Sequence, residues 1–306
     1  MARLILSRLL QLPFILAVIF LVTFSLLMMT PGNPFEKNPD RPMDPETLRR
    51  LEERYNFHNP VAFASKYATD VITKFDFGDS LHYRDRTVTQ FIKQGLPVSA
   101  ALGVFALIFA LIVGLGAGIL GALRPGSPWD FGSLVIALIG VSLPSFVTAS
   151  ILLTAFAGLI QIFPISGWGT PMHMVLPAIA LGAAPAAYIA RLTRLGLADV
   201  MSSDFVRTAR AKGLSKNSAL INHAMKVAFL PVLSFLGPAA AGTMTGSFVI
   251  ERVFAIPGLG EHFVNSVLNG DRFLTLGLVL IYSTMLIVFN LIVDVAYAFV
   301  DPRIEL

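Results

Sequence analysis

Few residues in this sequence are equipped for chemistry, and their placement argues against catalysis. Five histidines stand at 58, 82, 173, 223 and 262, too scattered to suggest metal-ligand spacing. There is no cysteine, which removes thiolate metal sites, disulfides and cysteine nucleophiles. The chain has no Gly-x-Ser-x-Gly elbow, no Gly-x-x-x-x-Gly-Lys-Ser/Thr phosphate loop and no His-Glu-x-x-His. Gly114, Gly116, Gly118 and Gly121 superficially resemble a dinucleotide loop, but they lie in an apolar run with no preceding strand. Small residues in such a run let helices pack closely. The dense constellation is basic: Arg191, Arg194, Arg207, Arg210, Lys212, Lys216 and Lys226 share one polar stretch with only Asp199 and Asp204. That chemistry is electrostatic docking, either to an acidic or polar socket or to anionic headgroups.

The elements that must position this stretch follow from composition. The chain has 306 residues and a mass of 33.1 kDa, is 55% hydrophobic and 14% charged, and has a mean hydropathy of +0.72. A soluble domain would carry roughly a quarter charged residues, and a single core of this size could not hide so much apolar surface. An ordinary cytosolic globule and a disordered chain are excluded, leaving a polytopic membrane protein. The balance of 23 basic to 19 acidic residues marks membrane-flanking loops rather than nucleic-acid binding.

Charges divide the chain. None lies between Arg8 and Glu36, Lys93 and Arg124, Asp130 and Arg191, Lys226 and Glu251, or Arg272 and Asp294. One crossing needs about 20 apolar residues, so four gaps hold one helix each. The gap from Asp130 to Arg191 holds two, parted by a turn cluster from Gln161 to Pro171. Six spans are expected near 9–30, 98–123, 131–160, 174–190, 227–250 and 273–300. The first is followed by Pro31-Gly32-Asn33-Pro34 rather than a small-residue cleavage site and reads as a retained helix. Asp294, the one acid within a span, reads as a solvated or helix-end group near its membrane surface. Short-loop Lys and Arg counts place both termini and the 191–226 loop in the cytoplasm. Residues 31–97 then form an external segment with ten basic and ten acidic residues, a surface cap or a docking face. Asp44-Pro45-Glu46 starts a helix there, with Glu46–Arg50 and Arg49–Glu53 pairs. Residues 98–306 carry the five remaining helices.

Within the 191–226 loop, Asp199 through Ala211 is rich in helix formers and Gly213 reads as a stop. Leu214 to Val227 resumes a helical pattern, with Ser215 and Asn217 as possible caps. A short helix, a glycine turn and a second helix make a protruding knob. Elsewhere, Pro144, Pro177, Pro185, Pro231 and Pro238 can kink spans three to five. Thr243, Thr245, Ser247 and Glu251, near the outer end of span five, are candidates to line a pathway on position and polarity alone. Glu251 would meet a cargo amine there, or serve as a helix-end group if it faces a loop. After Pro257-Gly258-Leu259-Gly260, Glu261 to Leu268 reads as a short helix at the outer surface or a gate.

The stretch Asp204-Phe-Val-Arg207-Thr208-Ala209-Arg210-Ala211-Lys212-Gly213-Leu214, with Pro231 downstream, resembles the ATPase-contacting loop of bacterial ABC importer permeases. The superfamily signature begins Glu-Ala-Ala; here Arg207, Thr208 and Ala209 stand in those places, the form common in the peptide/nickel permease branch. Thr30 to Pro34, Asp76 to Ser80, Pro144 to Phe146, Pro257 to Gly260 and Asp301 to Arg303 are similar to that family's motifs in order along the whole chain. The match is closest to the B-type membrane subunit of oligopeptide permeases.

That resemblance implies an all-α, six-helix, type I importer fold. It implies a non-catalytic subunit in the bacterial inner membrane, paired with a second homologous permease subunit, two ATPases and an external binding protein. ATP and magnesium would be bound by the ATPases and no cofactor by this chain. Residues Asp204 to Leu214 would couple ATP-driven closure to alternating access, moving oligopeptides or dipeptides; nickel or another small cargo is the alternative within the family. An integral membrane enzyme is the competing class, and it would need an acid, histidine or serine constellation that the sequence does not supply.

Overall fold

The structure is a computed structural model and describes residues 2–31, 33, 35, 44–55, 58–83, 85–244 and 248–300. It is helical. In chain order the helices are α1 (Ala2–Met29), α2 (Pro45–Tyr55), α3 (Pro60–Lys74), α4 (Val88–Leu123), α5 (Pro128–Ser142), α6 (Ser145–Leu152), α7 (Pro171–Met201) and α8 (Asp204–Ala211). They continue as α9 (Lys216–Ala219), α10 (Met225–Ala228), α11 (Leu230–Met244), α12 (Phe248–Val253), α13 (Leu259–Leu268) and α14 (Arg272–Val300). Wider π turns, Leu153–Leu159 and Leu220–Ala224, extend α6 and join α9 to α10. Among the described residues the extended pairing is a single bridge between Asp79 and Thr87.

Five helical stretches are long and apolar enough to cross a membrane, and a bent pair brings the total to six. The bent pair is the expected third span. Asp130–Gly140 and Ser145–Leu159 meet at 108°. The cause is local: Pro144 lacks an N–H and forces the residue before it out of the helical region. Leu143 accordingly sits at φ −87°, ψ 126°. Its N–H still bonds the Ile139 carbonyl, and Pro144's carbonyl accepts from Val147 and Thr148. By contrast α7 runs unbroken through Pro177 and Pro185.

The chain packs as two compact units. One comprises Ala100–Ile256 with Met1–Ser7 and Leu286–Leu306. Its helices approach through glycines. A Cβ on Gly114 would lie 2.7 Å from the Ala186 carbonyl oxygen, and one on Gly118 would lie 2.5 Å from Thr193 Cβ. Gly114 and Gly118 of the run that imitates a dinucleotide loop therefore form a seam between α4 and α7, while Gly121 faces Ser133 of α5 and Gly116 meets nothing within 4 Å. A Cβ on Gly103 would lie 2.6 Å from Met244 Cα, so α4 and α11 meet almost backbone to backbone. Near the start of α5, Arg194 of α7 donates Nε and Nη2 to the two Asp130 carboxylate oxygens at 2.5 and 3.0 Å. Arg194 thus belongs to the helix packing rather than to a free loop.

The other unit comprises Arg8–Ser99 with Pro257–Met285. Its core is aromatic, with Phe63 edge-on to Phe273 at 5.4 Å and Phe20 stacked on Tyr67 at 5.8 Å. Asp44 caps α2 by accepting the Thr47 N–H at 3.0 Å, and Asn59 caps α3 by accepting the Ala62 N–H at 3.1 Å. Both expected i,i+4 pairs of α2 form, Arg50–Glu46 at 2.5 Å and Arg49–Glu53 at 2.9 Å. Asp271, 1% exposed, gathers the segment around it. It accepts from Ser80 Oγ, from the His82 N–H at 3.1 Å and from the Leu274 N–H at 3.1 Å. Leu259 at the head of α13 donates its N–H to Ser99 Oγ at 2.8 Å. His262 of α13 lies 4.7 Å from the Phe91 ring centroid, and burial lowers its pKa. Glu261 opposes that shift and Arg86 adds to it.

Candidate functional site

The knob expected over Asp199 to Leu214 starts later, at Asp204, because Asp199 to Met201 belong to α7, and each of its ends has a local cause. Helix α7 runs past Arg191 and Arg194 to Met201, further than the expected span. The Ser202 and Ser203 N–H groups then bond Asp199 and Val200 carbonyls, closing the helix. Ser203 is extended, at φ −70°, ψ 156°, and α8 starts anew at Asp204. The new helix places Asp204 in its first turn and Arg210 in its last, both favourable to the helix dipole.

The far end is a glycine-terminated C-cap. Gly213 stands at φ +95°. Its N–H bonds the Arg210 carbonyl at 3.0 Å, and the Leu214 N–H reaches back to Ala209 at 3.3 Å. This pair of crossed bonds is the Schellman arrangement, which needs a left-handed residue at its turn. Ser215 then caps α9, accepting the Ser218 N–H at 3.2 Å. Asn217's side chain lies outside the described ones.

The knob has an inner and an outer face, as a 3.6-residue period requires. Val206 (0% exposed) and Ala209 point inward. Val206 joins a cluster with Leu197, Ala219, Leu220, Ala224 and Ala228. Outward lie Asp204, Phe205, Arg207, Thr208, Arg210, Ala211, Lys212 and Gly213, while Leu214 is half-buried. Arg207 is paired with Asp204 at 2.6 Å. Arg210 and Lys212 have no acidic partner among the described residues. Phe205 is 46% exposed, an aromatic ring in solvent at the rim of a cationic face. Sequence reasoning passed over Phe205, although a phenylalanine one position before an inward-facing valine signals an aromatic on the outer side. An exposed aromatic flanked by arginine is the composition of a protein-docking hot spot.

The other expected residues lie apart from this face. Thr243 is buried on α11, at 1% exposed, and its hydroxyl donates to the Ala239 and Ala240 carbonyls at 3.0 and 3.2 Å. Glu251 on α12 is 0% exposed. Thr245 and Ser247 fall outside the described residues. Thr243 and Glu251 thus belong to the interior of their unit as the chain stands.

Comparison with known proteins adds three findings. The profile of a family described as "Binding-protein-dependent transport system inner membrane component" matches residues 110–306. The dipeptide transport system permease protein of Bacillus subtilis (strain 168) is 39% identical over 306 residues, covering 100% of this chain and 99% of that protein. The oligopeptide transport system permease proteins of Haemophilus influenzae and Escherichia coli K12 are each 40% identical over 307 residues, covering 100% of both chains. Among solved structures, an inward-facing methionine ABC transporter matches 68% of this chain and 94% of its own, with a TM-score of 0.52 and 17% identity. An amino acid ABC transporter solved with histidines also gives a TM-score of 0.52, at 20% identity, over 68% of this chain and 93% of its own. Over the part they cover, those two likenesses show the fold of the type I ABC importer kind, and the chain carries five candidate spans, or six with the bent pair taken as one.

Proposed function

Because this chain belongs to the family of binding-protein-dependent transport system inner membrane components, we propose that it is one membrane subunit of an ATP-driven importer of oligopeptides or dipeptides. The likeness that carries the reading runs the full length of the chain, at about 40% identity to permeases named for those cargoes. In this reading the subunit pairs with a second, related permease. Two ATPases bind ATP and magnesium, and an external binding protein delivers the peptide. Both termini and the knob face the cytoplasm of a bacterial inner membrane. Residues 1–30, 31–97 and 98–306 act as the first helix, the external segment and the translocating core.

The coupling element is Asp204 to Leu214. Phe205 and Thr208 enter a groove on one ATPase while Arg210 and Lys212 meet its acidic rim. The Val206 cluster fixes the knob to the end of α7 and the start of α10, so a push on the knob becomes a movement of spans. ATP drives transport only if it binds one conformation of the assembly more tightly than the other. Thr243, Thr245, Ser247 and Glu251 then line the pathway in a state that opens the α11–α12 region, where the Glu251 carboxylate meets the peptide amine.

The test is ATP hydrolysis by the reconstituted complex, with binding protein and peptide, for wild type, Phe205→Ser and Arg210→Glu. Loss of an aromatic or arginine anchor removes about 2 kcal/mol or more of docking energy. Stimulation should fall at least about tenfold while the permease pair still assembles. Full stimulation in both assembled variants would remove the knob from the coupling path. A wild-type complex that recruits no ATPase would overturn the importer reading.

A further inference from the structure

Beneath the 76–80 turn, the unit holding α3 contains a cleft of about 180 Å³ that the transport reading does not use. Its floor is aromatic, formed by Phe63, Tyr67 and Phe273. Its walls carry both signs: Arg54 and Lys66 on one hand, Asp70, Asp76 and Asp79 on the other. Arg54 faces Asp79 across 3.8 Å, and Lys74 holds Asp70 at 2.6 Å. Lys66 precedes Asp70 by four residues on one helical face, a rise of about 6 Å. Lys66 Nζ reaches back to the Arg54 carbonyl at 2.6 Å, which draws the cationic end together. Asp76 follows the helix and extends the anionic end beside Asp70.

Two groups in the cleft are left incomplete. Asp76 accepts the Gly78 N–H through Oδ1 at 2.9 Å; it also acts electrostatically on Lys74, whose direct bond is to Asp70. Tyr67 is only 5% exposed, yet its phenol oxygen has no hydrogen-bond partner. A buried hydroxyl without a partner carries a penalty that a ligand donor or acceptor would relieve. Burial raises the phenol's pKa and the nearby Asp76 carboxylate raises it further, so the group is a neutral O–H beside that carboxylate. A primary ammonium suits that arrangement, with donors for both oxygens and a cation to lie over the rings. A divalent cation does not, since no three acidic or histidine side chains converge among the described residues.

We propose that this cleft binds a small zwitterion of the α-amino acid or dipeptide class, its ammonium at Asp76 and Tyr67 and its carboxylate at Lys66 and Arg54. The volume suits a ligand of one or two small residues. The site is separate from the knob and does not depend on the coupling assignment.

Equilibrium dialysis of radiolabelled alanine and alanylalanine against the complete permease complex in nanodiscs, without external binding protein, tests it. Wild type should bind saturably. Asp76→Asn keeps the oxygen that holds Gly78 yet removes the charge, and Lys66→Met removes the cation; each should weaken binding about tenfold or more. Tyr67→Phe should weaken it less. N-Acetylalanine, which lacks the ammonium, should fail to compete. The proposal is overturned if wild type shows no saturable binding at 10 mM ligand. Binding that survives both Asp76→Asn and Lys66→Met overturns it too, since it then sits elsewhere, as does competition by N-acetylalanine equal to that by alanine. Whether the importer reading holds is read separately, from ATP hydrolysis.

Discussion

Substituting Gly213 by alanine should loosen the knob without touching anything else. The residue sits at φ +95°, where an L side chain is strained, and a Cβ placed there meets no atom within 4 Å. The effect is therefore purely conformational. A left-handed alanine costs about 1–2 kcal/mol, and the reduced freedom of the unfolded chain returns about 0.4–1 kcal/mol. A net loss near 1 kcal/mol raises the open population about fivefold. The bonds at stake are those of the Lys212, Gly213 and Leu214 N–H groups to Thr208, Arg210 and Ala209. Hydrogen exchange at Lys212 and Leu214 should accelerate by that factor, while amides in α7 stay unchanged. Asparagine, which tolerates the left-handed region, should fall between glycine and alanine. Unchanged protection in Gly213→Ala, or greater loss in Gly213→Asn than in Gly213→Ala, would refute the reasoning.

Gly103→Ala should destabilise its unit by about 1–3 kcal/mol through overpacking, because its Cβ would meet the Met244 backbone at 2.6 Å. In a detergent melt, Gly116→Ala, with nothing within 4 Å, serves as the control and should hold or slightly raise stability. Asp271→Ala leaves the Ser80, His82 and Leu274 donors without their acceptor, at about 1–3 kcal/mol for each that stays buried. Proteolysis near residues 76–87 should quicken, and Asp271→Asn should be milder. His262 has a pKa lowered in the fold, mainly by burial. As pH falls below about 6.5 the unfolded chain binds that proton first, so stability should decline until the folded pKa is reached and hold level above. His262→Phe, which keeps the packing on Phe91, should flatten thermal melts between pH 7 and 5.

Much of the architecture is legible because a charge in hydrocarbon is expensive. The gaps between charges mark the spans, and local capping chemistry marks Asp44, Gly213 and Ser215. The legible parts of the knob are those written in neighbouring residues. What escapes is written at a distance. Asp130 and Arg194 pair across 64 residues, and Ser80 and Asp271 across 191. Nothing in either stretch announces its partner, so Arg194 reads as one more loop charge. Burial by tertiary packing is equally silent: Thr243 looks polar in sequence, yet its hydroxyl is turned back onto its own helix. The prolines split for a similar reason. Pro144 turns the chain by 108°, whereas α7 continues through Pro177 and Pro185, packed against α5 and α4.

The corner at Pro144 bears on how the protein is made. The uncharged run from Asp130 to Arg191 carries two candidate spans, and the first of them is the one that bends. A bend left with bare peptide groups would have to wait there for water or for a neighbouring helix. Here the end bonds of the two helices form, from Leu143 to Ile139 and from Val147 and Thr148 to Pro144, but no side chain caps the start of α6. The corner is therefore completed only as α7, which packs on both α5 and α6, arrives beside it.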